Sequence, residues 1–299
     1  MNKRRGFTPL EIKISKGVGK RFLRGFTLIE LLVVISIIAL LMSILMPALG
    51  KAKKVAQAAI CMSNLHQWGL IWKFYTDDNK GYFPDRGGVN EFWKIMWEYN
   101  HEDEGDFDDD HSSIPKTLQG MLFCAAAKKT DLEGGRNPYM AWWDDENDND
   151  KWENRKVNKD LVCSKEPSGS YMMNLWISDD TGEQKGITDG FWRTPNVRGA
   201  AYAPIMVCAQ WKDGDPLHVD DPPQHENDLW TPNAHEIRRA CIKRHGDYVN
   251  AVFLDFSVRK VGLKELWTLR WHKQWPAVDT RDIDWATLAP WMAHMRDYP

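Results

Sequence analysis

One carboxylate, Glu30, stands at the head of an almost unbroken apolar run that continues from Leu31 to Met46. An acid near the edge of a membrane-length helix costs on the order of 2 to 3 kcal/mol, so its chemistry is charge pairing with a cation brought to the same depth. A second acidic pattern, Asp144, Glu146, Asp148 and Asp150 at alternate positions, presents the oxygen ligands that a hard cation takes and makes a calcium candidate. That loop has no central glycine and no terminal glutamate, so the EF-hand pattern fails and a solvated acidic loop is the competing reading. The nine histidines contain no pair at the i, i+4 spacing of a helical zinc site. His218, Asp220, Asp221, His225 and His235 make a metal site only if the fold gathers them. His245 and Asp255 are read as structural, the imidazole bonding a backbone or carboxyl oxygen across a hairpin. Apart from calcium no cofactor is expected. Without a C-x-x-C pair, a P-loop, a dinucleotide glycine motif or a G-x-S-x-G elbow, the chain is not expected to be an enzyme.

Five cysteines, Cys61, Cys124, Cys163, Cys208 and Cys241, face oxidising conditions if the domain is exported, and an odd number leaves one unpaired. Cys61 is taken as the free thiol, with Cys124 bonded to Cys163 and Cys208 to Cys241. Sixteen tryptophans are many for this length, and Trp93, Trp97, Trp142, Trp143, Trp152, Trp192 and Trp230 flank acids or turns. An exposed indole stacks on sugar rings; a buried one packs a core, removing some 150 to 250 Å² from water.

The elements that must position these groups follow from charge and hydropathy. Residues 1–25 carry eight Lys and Arg against Glu11 alone, and positive charge stays on the cytoplasmic side. Removing that leader takes the formal charge from −3 to about −10, which argues against a nucleic-acid partner. From Phe26 to Leu49 the chain is long enough to cross a hydrocarbon core of roughly 30 Å, and no second stretch of that length follows. An ordinary secretory signal, cut near Ala48-Leu49-Gly50, has an apolar region of only about 7 to 15 residues; a plain single-span anchor is the other alternative. Beyond the span, Ala48, Ala52, Val55, Ala59, Met62, Leu65, Trp68 and Trp72 recur at three or four residues, predicting that the helix continues to about Tyr75. Thr76 to Pro84 then gathers turn formers.

The segment Lys20-Arg21-Phe22-Leu23-Arg24-Gly25-Phe26-Thr27-Leu28-Ile29-Glu30 resembles the processing site of type IV prepilins and type II secretion pseudopilins. The resemblance implies cleavage between Gly25 and Phe26 by a prepilin peptidase that also N-methylates Phe26. Glu30 becomes the fifth mature residue and meets the N-terminal ammonium of a neighbouring subunit, two buried charges compensating each other. It also implies a kink or local melting at Pro47, against the simpler reading of a helix break at the membrane surface. A second, imperfect copy, Gly6-Phe7-Thr8-Pro9-Leu10-Glu11, leads into nothing that spans a membrane. Cys61 to Leu70, Asp78 to Pro84, Gly169 to Trp176 and His245 to Asp255 are similar to a group of pseudopilin-like proteins abundant in Planctomycetes, Verrucomicrobia and Lentisphaerae. There histidine, nine residues and Asp-Gly close the domain, whereas here Phe256 follows Asp255, which favours a longer loop or a bulge over a tight primed turn.

The expected fold is α+β and pilin-like: a leader (1–25), a membrane half-helix (26–49), a soluble half-helix (50–76) and an exported domain (77–299) with a small antiparallel sheet and long insertions. Strands are predicted at Ser170 to Ile177, Ile205 to Trp211 and the hairpin 248–261, and helices at Lys264 to Trp275 and Trp285 to Met295. The function implied is a minor fibre subunit of a type II secretion or type IV pilus system. Its partners would be the peptidase, other pilin-like subunits and the inner-membrane assembly machinery, with the N-terminus cytoplasmic and the domain exported. The alternative is a membrane-tethered polysaccharide-binding module that uses the N-terminal segment for export and anchoring.

Overall fold

The computed structural model describes residues 27–90, 120–127, 142–143, 168–226, 228 and 235–299. Its first unit, residues 1–50, is described from Thr27 and consists of the opening part of helix α1 (Leu28–Asp78). Every residue from Leu28 to Leu49 is exposed, and the stretch is apolar and long enough to cross a bilayer. Ser36 and Ser43 turn their hydroxyls back onto the carbonyls of Leu32 and Leu40, both at 2.7 Å, so their polar groups are satisfied without water. The helix runs through Pro47 without a break in its assignment.

The second unit, residues 51–299, holds one core. Within it α1 buries Ala58, Cys61, Asn64, Leu65, Trp68, Gly69, Trp72 and Thr76. Of the apolar stripe predicted from sequence, Leu65, Trp68 and Trp72 are buried, while Ala52, Val55 and Ala59 face outward. The face that packs also carries Cys61 and Asn64, and Asn64 finds partners that sequence periodicity does not reveal. The helix stops where Lys80 and Gly81 both adopt left-handed backbone, and the Gly81 N–H returns to the Thr76 carbonyl at 2.7 Å. A short helix α2 (Arg86–Asn90) follows.

The strands in chain order are β1 (Trp142–Trp143), β2 (Ser168–Gly169), β3 (Tyr171–Asn174), β4 (Glu183–Gln184), β5 (Ile187–Thr188), β6 (Pro204–Cys208), β7 (Asp213–Gly214), β8 (Tyr248–Phe253) and β9 (Val258–Gly262). The main sheet has the order β7-β3-β6-β8-β9 and is antiparallel except for the β3–β7 pair. All residues of β3 and β6 are buried, so both sheet faces are covered there. α1 lies on one face: Asn250 donates to the Ala58 carbonyl at 3.2 Å, and a Cβ on Gly69 would stand 3.0 Å from Val252. The β8–β9 loop is closed by the Phe253 N–H on the Ser257 carbonyl, with Phe256 at φ 63°, the position glycine ordinarily takes in a bulged hairpin.

Three expected elements, one strand and two helices, are shorter than predicted. The strand starting at Ser170 gives way at Leu175 to a 3-10 turn capped by the Asn174 side chain on the Trp176 N–H. The C-terminal segments form 3-10 turns at Lys264–Thr268 and Pro290–Met292 and one turn of helix, α3 (Trp285–Leu288), rather than two full helices. Indole donors hold these turns: Trp271 to the Leu266 carbonyl at 2.9 Å, Trp275 to Trp267 at 3.0 Å and Trp285 to Thr280 at 2.6 Å. The result is an α+β pilin-like fold, an N-terminal apolar helix with an antiparallel-rich sheet domain.

Candidate functional site

Gly25 and Phe26 lie outside the described residues; the first described residue, Thr27, caps α1. The Glu30 carboxylate accepts from both the backbone N–H and the hydroxyl of Thr27 at 2.8 Å, and the Thr27 hydroxyl accepts from the Glu30 N–H at 3.3 Å. This is a capping box, in which the helix start and the acid hold each other. The signal for it in the sequence is the Thr-x-x-Glu spacing of Thr27 and Glu30. The acid is thereby fixed at the first turn of an exposed apolar helix, where it meets whatever covers that helix.

A second constellation was not foreseen. The sulfurs of Cys61, Cys124 and Cys208 and a ring nitrogen of His245 all lie within 4.8 Å of one another. Cys61 comes from the buried face of α1, Cys208 from the last position of β6, and His245 from the loop entering β8. Cys124 is delivered by the segment 120–127, which docks on the same helix face. Asn64 donates to the carbonyls of Gly120 at 3.1 Å and Phe123 at 2.9 Å, the Trp68 indole to Met121 at 3.1 Å, and Gln57 to Ala125 at 2.9 Å. His245 Nε2 stands 3.1 Å from Cys124 Sγ and 3.9 Å from Cys208 Sγ, with its ring stacked on Tyr248. The buried Arg244 guanidinium donates to Cys208 Sγ and to the Ser170 carbonyl, each at 3.0 Å, and the Ser170 hydroxyl accepts from the Cys124 N–H.

Electrostatics separate the three thiols. Burial pushes Cys61 up to about 12 and Cys208 well above its ordinary value. Hydrogen bonds from Cys208 and Cys61 pull Cys124 down against its own burial, with His245 and Arg244 adding to the effect. Three soft donors and one imidazole converging in a buried site suit a four-coordinate, borderline-soft metal rather than a hard cation.

The sequence-based expectations for these residues need correction. Cys208 and Cys241 are both free thiols: Cys208 faces the cluster, whereas Cys241 is buried against Met292 with its sulfur 3.7 Å from the thioether. Cys124 is likewise a free thiol, and Cys163, its expected partner, lies outside the described residues. Cys61, taken as the odd cysteine, faces the others. The His245 ring nitrogen faces the sulfurs of Cys124 and Cys208 rather than an oxygen across the hairpin, and Asp255 holds the Ser257 N–H and hydroxyl at 3.0 and 2.6 Å. His218 lies with His272 and Trp275, and His235 accepts from the Asp221 N–H, so among the described residues these histidines do not converge as ligands. The calcium candidates Asp144, Glu146, Asp148 and Asp150 fall outside the described residues. Of the tryptophans flanking acids or turns, Trp192 is buried and donates to the Trp271 carbonyl at 3.0 Å, a packing role. The side chains of Trp93, Trp97, Trp142, Trp143, Trp152 and Trp230 are outside the description.

No convergent signal for the cysteine cluster exists in the chain, since its ligands are spread over four segments with no paired spacing. The one hint was that Cys61 and His245 each head a segment already singled out.

Comparison with known proteins concerns the N-terminal part. Residues 21–46 match the family model of the prokaryotic N-terminal methylation motif. Over 66 residues the chain is 42% identical to the type IV wide pilus major component PilA4 of Thermus thermophilus, a stretch that is 22% of this chain and 50% of that protein. The chain thus spans half the length of this curated relative. No solved structure matches it significantly.

Proposed function

We infer that this type IV pilin-like chain is a structural subunit, stored in the membrane through α1 and assembled with other pilin-like subunits into a fibre. A prepilin peptidase removes residues 1–25 and methylates Phe26, and the basic leader keeps the N-terminus cytoplasmic while the domain is exported. The observation that carries this reading is α1 itself: fully exposed and apolar from Leu28 to Leu49, with its single acid fixed at Glu30. Such a surface is stable only in lipid or against copies of itself, and in a fibre the acid compensates the new ammonium of the subunit next to it.

The fibre belongs to a type II secretion or type IV pilus system. The domain, much larger than the helix that anchors it, supports a minor rather than a bulk subunit. Cross-linking of the processed chain in membranes tests the reading. A ladder of oligomers joined through α1 is expected, and a strictly monomeric product with normal export would favour an anchored binding module, with polysaccharide as its ligand, instead.

A further inference from the structure

We propose that Cys61, Cys124, Cys208 and His245 form a closed, four-coordinate structural zinc centre. Zinc takes thiolate sulfur at about 2.3 Å and imidazole nitrogen at about 2.0 to 2.1 Å, which sets tetrahedral edges of roughly 3.5 to 3.8 Å. The four donor atoms lie within 4.8 Å of one another, with 3.1 Å between His245 Nε2 and Cys124 Sγ and 3.9 Å to Cys208 Sγ, so rotamer-scale adjustment brings them onto one ion. The three cysteines are buried and all four ligands come from the protein, which leaves no open position for a substrate.

Charge favours the same assignment. Binding exchanges three thiol protons for one Zn²⁺, the protons leave to solvent, and the centre of three thiolates and a neutral imidazole carries −1. The buried Arg244 guanidinium, 3.0 Å from Cys208 Sγ, supplies the matching +1 and a hydrogen bond to the ligand sulfur. Hydrogen bonds to metal-bound sulfur of this kind orient and tune the ligand. Ser170 ties the surroundings together, its carbonyl accepting from Arg244 and its hydroxyl from the Cys124 N–H.

The ligands belong to α1, the segment 120–127, β6 and the approach to β8, elements far apart in sequence. One ion therefore cross-links the soluble part of the helix to the sheet and to a segment that has little regular structure of its own. The competing chemistry in an oxidising compartment is a disulfide between two of the three thiols, which would leave the third thiol and His245 without that role.

The experiment uses the exported full-length chain, solubilised in detergent and purified without chelator. Elemental analysis is expected to give one zinc per chain. Exchange for cobalt is expected to give thiolate-to-cobalt charge-transfer absorption and the intense visible bands of a four-coordinate ion. Cys208→Ser and His245→Ala should lose the bound equivalent, and Cys241→Ser, which alters a buried thiol outside the cluster, should keep it. A metal-free protein whose non-reducing peptide map shows a disulfide among Cys61, Cys124 and Cys208 would overturn the proposal, as would zinc retained in Cys208→Ser. If that variant does not fold, the stoichiometry, cobalt spectrum and disulfide map of the unaltered chain decide the question. None of these readouts depends on fibre assembly, so failure here leaves the subunit reading intact, and the reverse.

Discussion

Glu30 accepts two hydrogen bonds from Thr27, one from its backbone N–H and one from its hydroxyl, each 2.8 Å long. The acid at the head of the membrane helix therefore has a structural role within its own chain besides the intermolecular one proposed for it, and the two can be separated by substitution.

Glutamine at position 30 keeps an oxygen that can accept from Thr27, as capping boxes with glutamine do, but has no charge. Valine removes both. If compensation of a neighbour's ammonium is what drives assembly, Glu30→Gln and Glu30→Val both lose most of their recruitment into fibres. Processing stays intact in both. Rescue by glutamine in a quantitative fibre-recruitment assay would assign Glu30 to helix capping alone.

Cleavage should depend on the residue before Phe26 and not on Glu30. Gly25→Ala is expected to block leader removal, leaving a membrane-embedded precursor heavier by 25 residues, visible by mass spectrometry of the membrane fraction.

Asn64 ties the segment that delivers Cys124 to α1 through two carbonyls, at 3.1 and 2.9 Å, from a buried position. Asn64→Ala removes both bonds and leaves two acceptors without donors, so a loss of about 2 kcal/mol is expected in urea unfolding of the soluble unit's signal. The same variant should raise the proteolytic sensitivity of the segment around residue 124.

His272 is buried between Trp176 and Trp275, and neither ring nitrogen has a hydrogen-bond partner among the described residues. Burial, with His218 nearby, lowers its pKa to about 4. As pH falls below 6.5 the unfolded chain takes up this proton while the folded chain does not, so stability falls between about 6.5 and 4. Denaturation midpoints at pH 7.5 and pH 5 should show a loss of about 2 kcal/mol, and His272→Phe should flatten it. An identical pH dependence in the variant would mean that other groups carry it.

Much of this architecture was legible in the residues. The long helix follows from an apolar run joined to a three-and-four periodicity, and the hairpin from Tyr248 to Val261 from its β-branched, turn-bounded pattern. The departure at Phe256 also reads correctly as a disturbed turn, since the residue occupies the left-handed position of a bulged loop. What failed was whatever depends on tertiary neighbours. The buried helix face was legible only in part: Leu65, Trp68 and Trp72 pack as their periodicity indicates, whereas Cys61 and Asn64 are unremarkable in periodicity yet meet the segment 120–127. The C-terminal helices were overestimated because indole-to-carbonyl bonds stabilise isolated turns that a helical pattern resembles. The expected Cys208–Cys241 bond does not form, because the fold separates the two and gathers three cysteines around a histidine.

The most direct measurement is the N-terminal residue and intact mass of the mature chain from membranes. The account predicts a chain beginning at Phe26 with its amino group methylated. A chain that still begins at Met1, or one trimmed to Leu49 or beyond, would contradict it.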